Sequence, residues 1–187
     1  MPELLIHLTK RADGSSLLRC VRADGSVTWQ RHHGHQAAFF PLHDLTHFAV
    51  ESELAFRDGF YGLLAAGWSM EDTGGKSGRG PLPNEALAVE HIVGMLDLER
   101  AGGTTWTAAE FNQQAAGFAI AAGRSAPRAL TDIELTRVRL RVRELFQRWH
   151  ELPDGATLAL GFDRAAEGVD EKPNFGKAAM RKSIYGH

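Results

Sequence analysis

Short apolar runs alternate with Asp-Gly pairs through the first 31 residues. The runs span residues 4–8, 17–21 and 27–30, and the Asp-Gly pairs lie between them at 13–14 and 24–25. Glycine accepts the positive φ angle of a tight turn, so Asp-Gly between short apolar or β-branched runs indicates a hairpin. Two such turns predict a three-stranded antiparallel meander. Because three strands alone are marginally stable, one face of this sheet must pack against other elements.

Helical periodicity begins after this meander. With a step of ~100° per residue, a helix from Pro41 to about Arg57 would place these residues on its core face: Leu45, Phe48, Ala49, Ser52 and Phe56. A shorter segment over residues 59–68 and a glycine-rich loop over 69–83 follow. Residues 84–99 are apolar almost all round, which predicts a buried helix.

Two capping boxes mark the helices of the second half. Thr107-x-x-Glu110 begins a helix that extends to about residue 122, and Thr131-x-x-Glu134 begins another that extends to about residue 152. The second helix carries an apolar seam of Leu135, Val138, Val142, Leu145, Trp149 and Leu152. We interpret this seam as core packing, although the pattern leaves a homo-oligomer open.

The chain closes with a plausible strand and a polar tail. The run over 156–162 follows an Asp-Gly turn and is expected to join the N-terminal sheet. The predicted fold class is therefore α+β, with a three-stranded antiparallel meander plus a late strand packed against about five helices. We expect one domain over residues 1–163 and an extended or disordered tail over residues 164–187.

Charge narrows the classes of partner. The formal net charge of −2 argues against a protein that coats nucleic acid. The predicted last helix does carry five arginines, at positions 137, 139, 141, 143 and 148. Because no aromatic residues that could stack on bases are interleaved with them, we interpret them as a solvated face paired with acids. Nucleic-acid binding through this helix is the alternative.

Cysteine usage and apolar runs indicate a compartment. The single cysteine, Cys20, excludes an intramolecular disulfide and fits a reducing environment. The N-terminal sequence lacks the basic end and apolar core of a signal peptide. No apolar run approaches the roughly 18 residues that a membrane helix needs. We expect a cytoplasmic protein that does not bind membranes.

The candidate chemistry is concentrated in residues 39–53. His43 and His47 are four residues apart, so on a helix both imidazoles can reach one metal ion. The same face of the helix would contain Glu51, Asp58, Val50 and Leu54, with Asp44 at its border. Apolar groups are therefore expected to line the histidines.

A third metal ligand is expected from another segment. Glu51 lies eight residues after His43, roughly 12 Å along the helix axis, which places it beyond the reach of the metal. Glu90 or His91 is the first choice, and only one of them can point inward because they diverge by ~100°. Asp58 and His35 are further candidates. For His91 the alternative is a structural hydrogen-bonding role, and for His35 a place in a polar loop over residues 32–35.

Zinc is the expected metal. With three protein ligands it would keep an open position for a water molecule, whose pKa a zinc ion lowers to about 7. Asp44 could act as the base, or could orient an imidazole. The alternative for Asp44 is an acid in the first turn of the helix, where it would interact favourably with the helix dipole.

His43-Asp44-x-x-His47 resembles the His-Glu-x-x-His signature of zinc hydrolases, with aspartate in place of glutamate. It is also similar to the His-Asp-x-x-His motif of zinc-associated ubiquinone-biosynthesis proteins. The wider pattern from Phe40 to Glu51, Phe-Pro-x-His-Asp-Leu-x-His-x-x-x-Glu, resembles a bacterial family without an established activity. The first two resemblances imply zinc binding. Gly59 stands where the ubiquinone family has a further glutamate.

Two functional hypotheses follow. The first is a metal-binding protein, which could act as a metal-dependent hydrolase or lyase on a small-molecule substrate. The second is a non-catalytic small-molecule-binding or assembly module. In the second case the histidines are polar groups, and a pocket or subunit interface would lie over Val50 and Leu54.

Overall fold

The computed structural model describes residues 2–75 and 78–164. Its four strands are β1 (Leu4–Lys10), β2 (Ser16–Arg22), β3 (Val27–His32) and β4 (Thr157–Phe162). Its helices are α1 (His35–Glu53), α2 (Phe60–Ala65), α3 (Met70–Thr73), α4 (Asn84–Gly102), α5 (Ala108–Ala121) and α6 (Asp132–Glu151). This arrangement confirms the predicted α+β class. The tail predicted for residues 164–187 lies, apart from its first residue, outside the described residues.

The strands form one antiparallel sheet in the order β3-β2-β1-β4. Both Asp-Gly turns have the expected chemistry: Gly14 and Gly25 have φ angles of 74° and 83°. In the first turn the Asp13 carboxylate accepts a hydrogen bond of 3.0 Å from the Ser15 N–H. Strand β4 pairs with the free edge of β1. The meander and the late strand are therefore confirmed.

Two apolar clusters hold the helices in place. In the first cluster, the covered face of the sheet packs against α1, α2 and α6 through residues such as Ile6, Leu18, Phe48, Leu145 and Phe162. In the second, the end of α1 packs against α4, α5 and α6 through residues such as Val50, Val93, Phe111 and Leu135. Because α1 lies between the clusters, all residues from 44 to 51 are buried. Polar side chains on this part of α1 must therefore find partners inside the protein.

Helix α1 begins six residues before Pro41, which was predicted to lie near its first turn. Stacking of His32 on Phe40, with ring centroids 4.3 Å apart, fixes the early turns against strand β3. The sequence pattern could not show this because it is a tertiary contact. His35 is consequently the first helical residue, and Asp44 is not a first-turn acid. Ser52, predicted on the core face, is exposed.

The later helices begin where the capping boxes predict. In both boxes the threonine side chain accepts from the backbone N–H three residues on, and the glutamate side chain accepts from the N-cap N–H. The short helix α3 lies within the predicted loop over residues 69–83. The apolar seam of α6 faces the core, since Leu135, Val138 and Leu145 are fully buried.

Three of the five arginines of α6 make ion pairs with helix carboxylates within 3.2 Å: Arg137 with Glu53, Arg139 with Glu99 and Arg141 with Glu144. These pairs support the interpretation of a face matched with acids. Among residues 2–75 and 78–164, no helix is long and apolar enough to span a membrane.

Candidate metal centre

Packing of α1 against α4 brings His43, His47 and Glu90 together. Each offers one ligand atom, and the three atoms lie within 4.8 Å of one another. His47 Nε2 and Glu90 Oε1 are 3.3 Å apart. The two imidazole rings are nearly perpendicular, with centroids 4.8 Å apart. This group could hold a metal ion.

A buried carboxylate fixes the orientation of His47. Its Nδ1 lies 3.2 Å from Glu51 Oε1, and both side chains are almost fully buried. The other Glu51 oxygen accepts a 3.1 Å hydrogen bond from the Gly62 N–H at α2. A Cβ atom at Gly59 would lie 2.4 Å from Glu51 Cδ, so only glycine leaves room for this carboxylate. Glu51 thus contacts His47 on the side away from Glu90.

A second carboxylate holds His43. Its Nδ1 lies 2.7 Å from Asp97 Oδ2 on α4. The other Asp97 oxygen accepts a 2.9 Å hydrogen bond from Arg100. The His43 ring also stacks on Phe39, with centroids 5.4 Å apart. Because Nδ1 is engaged in both histidines, Nε2 is the atom that each has available for a metal.

The charges around His47 favour a proton when no metal is bound. Burial alone would lower the pKa of His47, but hydrogen bonds and charge interactions with Glu51 and Glu90 outweigh burial and raise its pKa to about 10. Burial tends to raise the pKa of Glu90, whereas its contact with His47 lowers the pKa below the ordinary value. A metal ion at this position would therefore replace a proton on Nε2.

Asp44 lies in the interior, with 2% of its surface exposed. Burial raises the pKa of this carboxyl group to about 7. Its Oδ2 has no hydrogen-bond partner in the described part of the chain. Its backbone carbonyl accepts from the Tyr61 hydroxyl at 3.2 Å. The role of Asp44 as a base or as an orienting group stays a prediction.

The remaining candidates lie outside the convergent group. Asp58 pairs with Arg164 at 3.1 Å. His91 is half-buried next to Glu90, and its Nε2 has no partner among the described residues. His35 is exposed at the start of α1.

Val50 and Leu54, predicted to line the histidines, belong to the apolar core. Val50 is fully buried and Leu54 is 8% exposed, and both pack in the second core cluster. These two residues therefore contribute to the packing of α1 against α4, α5 and α6. The pocket or subunit interface that the alternative hypothesis expected over these two residues is occupied by the protein's own helices.

The sequence did not predict the roles of two residues of the site, Asp97 and Gly59. Asp97 lies seven residues after Glu90, so both occupy one face of α4. That spacing was a signal which could have identified Asp97 as a partner for the histidines. Gly59 could not be found in this way, because its role depends on the close approach of α2 to Glu51.

Comparisons of the chain with protein-family models, with curated proteins and with solved structures find no match. The geometry alone defines the class of site: a cluster of two histidines and one glutamate on two packed helices, which could hold a metal ion.

Proposed function

We propose that the protein binds zinc through His43, His47 and Glu90 and uses it in a hydrolase or lyase reaction on a small-molecule substrate. One observation carries this proposal: each histidine Nδ1 contacts a carboxylate, Asp97 at 2.7 Å and Glu51 at 3.2 Å. Metal-binding histidines commonly have such partners, which fix the tautomer and make the other nitrogen a better ligand.

The donor set suits zinc, and so does the separation of two of its three ligand atoms. Two atoms bound at about 2.0–2.1 Å to a tetrahedral zinc ion are about 3.3–3.4 Å apart. The separation of His47 Nε2 and Glu90 Oε1 is 3.3 Å. Two histidines and one carboxylate also hold iron(II) in many enzymes, so the identity of the metal must be measured.

The exposure of the site supports a catalytic role over a structural one. Structural zinc sites are closed by four protein ligands, whereas catalytic sites keep one position for water or substrate. Here three ligands converge, and the side chains of Glu90 and His43 are 46% and 20% exposed. A bound zinc ion would supply an activated water and polarise a substrate oxygen. The resemblance of His43-Asp44-x-x-His47 to zinc hydrolases points the same way.

The first test is elemental analysis of protein purified without a metal-affinity tag, with Glu90→Gln and His91→Gln as matched variants. Both changes lie on the exposed or half-exposed side of α4, so neither should unfold the protein. We expect nearly one zinc ion per chain in the wild-type protein and in His91→Gln, and a large loss in Glu90→Gln. Absence of metal from the wild-type protein after reconstitution would refute the proposal. Loss of zinc in His91→Gln but not in Glu90→Gln would identify His91 as the third ligand.

The second test addresses the reaction. The zinc-loaded wild-type protein and Glu90→Gln are compared on panels of small esters, amides and phosphate esters. We expect turnover that follows the zinc content. Activity that survives in Glu90→Gln after removal of the metal would contradict a reaction at this centre.

A further inference from the structure

A cavity of about 550 Å³ lies between α1, α4 and α6. This volume is within the range of about 300–1,000 Å³ typical of small-molecule sites. Thr46, buried on α1, forms part of its wall, and the loop over residues 103–105 borders it. His43, His47 and Glu90 are not among its lining residues, so a ligand could bind there without a metal.

The lining of the cavity combines apolar and positively charged groups. Leu96, Val142 and Phe146 supply apolar surface. Three arginines and one glutamate also line it, which leaves two positive charges in excess. A ligand that matches this lining has an apolar body and an anionic group.

The excess charge is not shared equally among the arginines. Arg139 is neutralised by Glu99, which it contacts through both Nε and Nη2, and it also donates to the Trp106 carbonyl at 2.8 Å. Arg143 has no carboxylate partner within the described residues of the chain. Its guanidinium is therefore available to an anionic ligand, as a bidentate donor to a carboxylate, sulfonate or phosphate.

Arg100 is the third arginine of the lining. It donates to Asp97 at 2.9 Å, but that carboxylate also contacts His43 at 2.7 Å. One negative charge thus serves two donors, and Arg100 keeps further N–H groups for a ligand. Arg100 and Arg143 come from different helices, so an anion between them would bridge α4 and α6.

We propose that this cavity binds a small amphipathic organic anion, with its anionic group at Arg143 and Arg100 and its apolar body against Leu96, Val142 and Phe146. The proposal adds a ligand site separate from the metal centre. It also gives a role to Arg143, which has no carboxylate partner among the described residues.

The test uses the fluorescent amphipathic anion 8-anilinonaphthalene-1-sulfonate as the probe. Its neutral relative N-phenyl-1-naphthylamine has a similar apolar body and no charge. We expect saturable binding of one anionic probe per chain, with affinity at least about tenfold higher than for the neutral probe, because a guanidinium–anion pair contributes only to the former. Equal affinity for the two probes would overturn the proposal.

Variants locate the binding. Arg143→Gln is expected to lower the affinity for the anionic probe by about tenfold. Thr105→Trp, which narrows the cavity, should also lower this affinity. Arg148→Gln is the matched control on the same helix, since Arg148 does not line the cavity. Leu140→Gln tests the exposed apolar patch on α6, where Leu140 is 55% exposed. Binding that is lost in Leu140→Gln and kept in Arg143→Gln would place the probe on that patch and refute the proposal.

The measurement also separates this site from the metal centre. Glu90→Gln, which should lose the metal, is expected to bind the anionic probe as the wild-type protein does. Circular dichroism spectra of all variants check that the fold is intact. A failure of the metal proposal would leave the probe result unchanged, and a failure of the anion site would leave the metal content unchanged.

Discussion

The substitution Glu51→Gln removes a charge and almost no volume from the interior beside the metal centre. In the wild-type protein the two Glu51 oxygens have separate partners. Oε1 lies 3.2 Å from His47 Nδ1, and Oε2 accepts a 3.1 Å hydrogen bond from the Gly62 N–H. A carboxylate serves both donors because it has two acceptor oxygens.

A glutamine amide cannot serve both. If its oxygen faces His47, its NH₂ group points at the Gly62 N–H, and two donors oppose each other. If its oxygen faces Gly62, its NH₂ group requires Nδ1 of His47 as an acceptor. The imidazole proton then moves to Nε2, the atom that would bind the metal. The first arrangement destabilises the fold, and the second blocks Nε2. Both lack the carboxylate charge that makes Nε2 a better metal ligand.

We expect the metal dissociation constant of Glu51→Gln to rise by about 10- to 100-fold, the usual effect of losing a carboxylate behind a histidine ligand. This corresponds to about 1.4–2.7 kcal/mol of binding free energy. The assay is a competition titration with a chromophoric zinc chelator. The control is Glu53→Gln, on the same helix, where the carboxylate pairs with Arg137 on the surface. An unchanged dissociation constant in a folded Glu51→Gln protein would refute the orienting role of Glu51.

Three further predictions concern the fold and the protonation of the site. Gly59→Ala should lower both the melting temperature and the zinc affinity, because the added Cβ would lie 2.4 Å from Glu51 Cδ; thermal melts and chelator titrations that match the wild type would contradict this. The pKa of His47 is raised from 6.5 to about 10, so its contribution to the stability of the metal-free protein is complete below about pH 6.5 and is lost as the pH rises towards 10. Zinc affinity should change in the opposite sense, rising by up to about tenfold per pH unit in this window, and equal dissociation constants at pH 7, 8 and 9 would argue against proton displacement. Leu145→Ala, in the core, should lower the free energy of unfolding by about 2–5 kcal/mol, whereas Leu140→Ala on the exposed face of α6 should change it by less than about 0.5 kcal/mol; urea denaturation compares the two.

The sequence predicted the elements whose signals are local. The Asp-Gly turns predicted the meander because glycine at positions 14 and 25 meets a backbone requirement within four residues. The capping boxes at Thr107 and Thr131 predicted helix starts for the same reason. The start of α1 was missed because the contact of Phe40 with His32 joins a helix to a strand, and such a contact leaves no periodic signal.

The residues of the metal centre show the same difference between local signals and tertiary contacts. His43 and His47 are four residues apart on one helix, so their proximity followed from helix geometry. The contribution of Glu90 depends on the packing of α4 against α1. The sequence therefore favoured Glu90 or His91, with Asp58 and His35 as further candidates, without deciding among them. Glu51 was judged by its distance from His43, although it stands four residues after His47. Applied to that second pair, the same helix geometry would have predicted the His47–Glu51 contact.

The position of α1 explains how such a site can persist inside the protein. A buried imidazole and a buried carboxylate are each costly unless they are paired. Here one helix carries His43, His47 and Glu51. The packing against α4 supplies both Glu90 and Asp97, which are about two helical turns apart. The two apolar clusters fix α1 from both sides, so the relative placement of the two helices sets the ligand atoms and their supporting carboxylates at once. A shift of α4 along α1 would therefore remove Glu90 from His47 and Asp97 from His43 in the same motion, and we expect substitutions in the α1–α4 contact to weaken metal binding without touching a ligand.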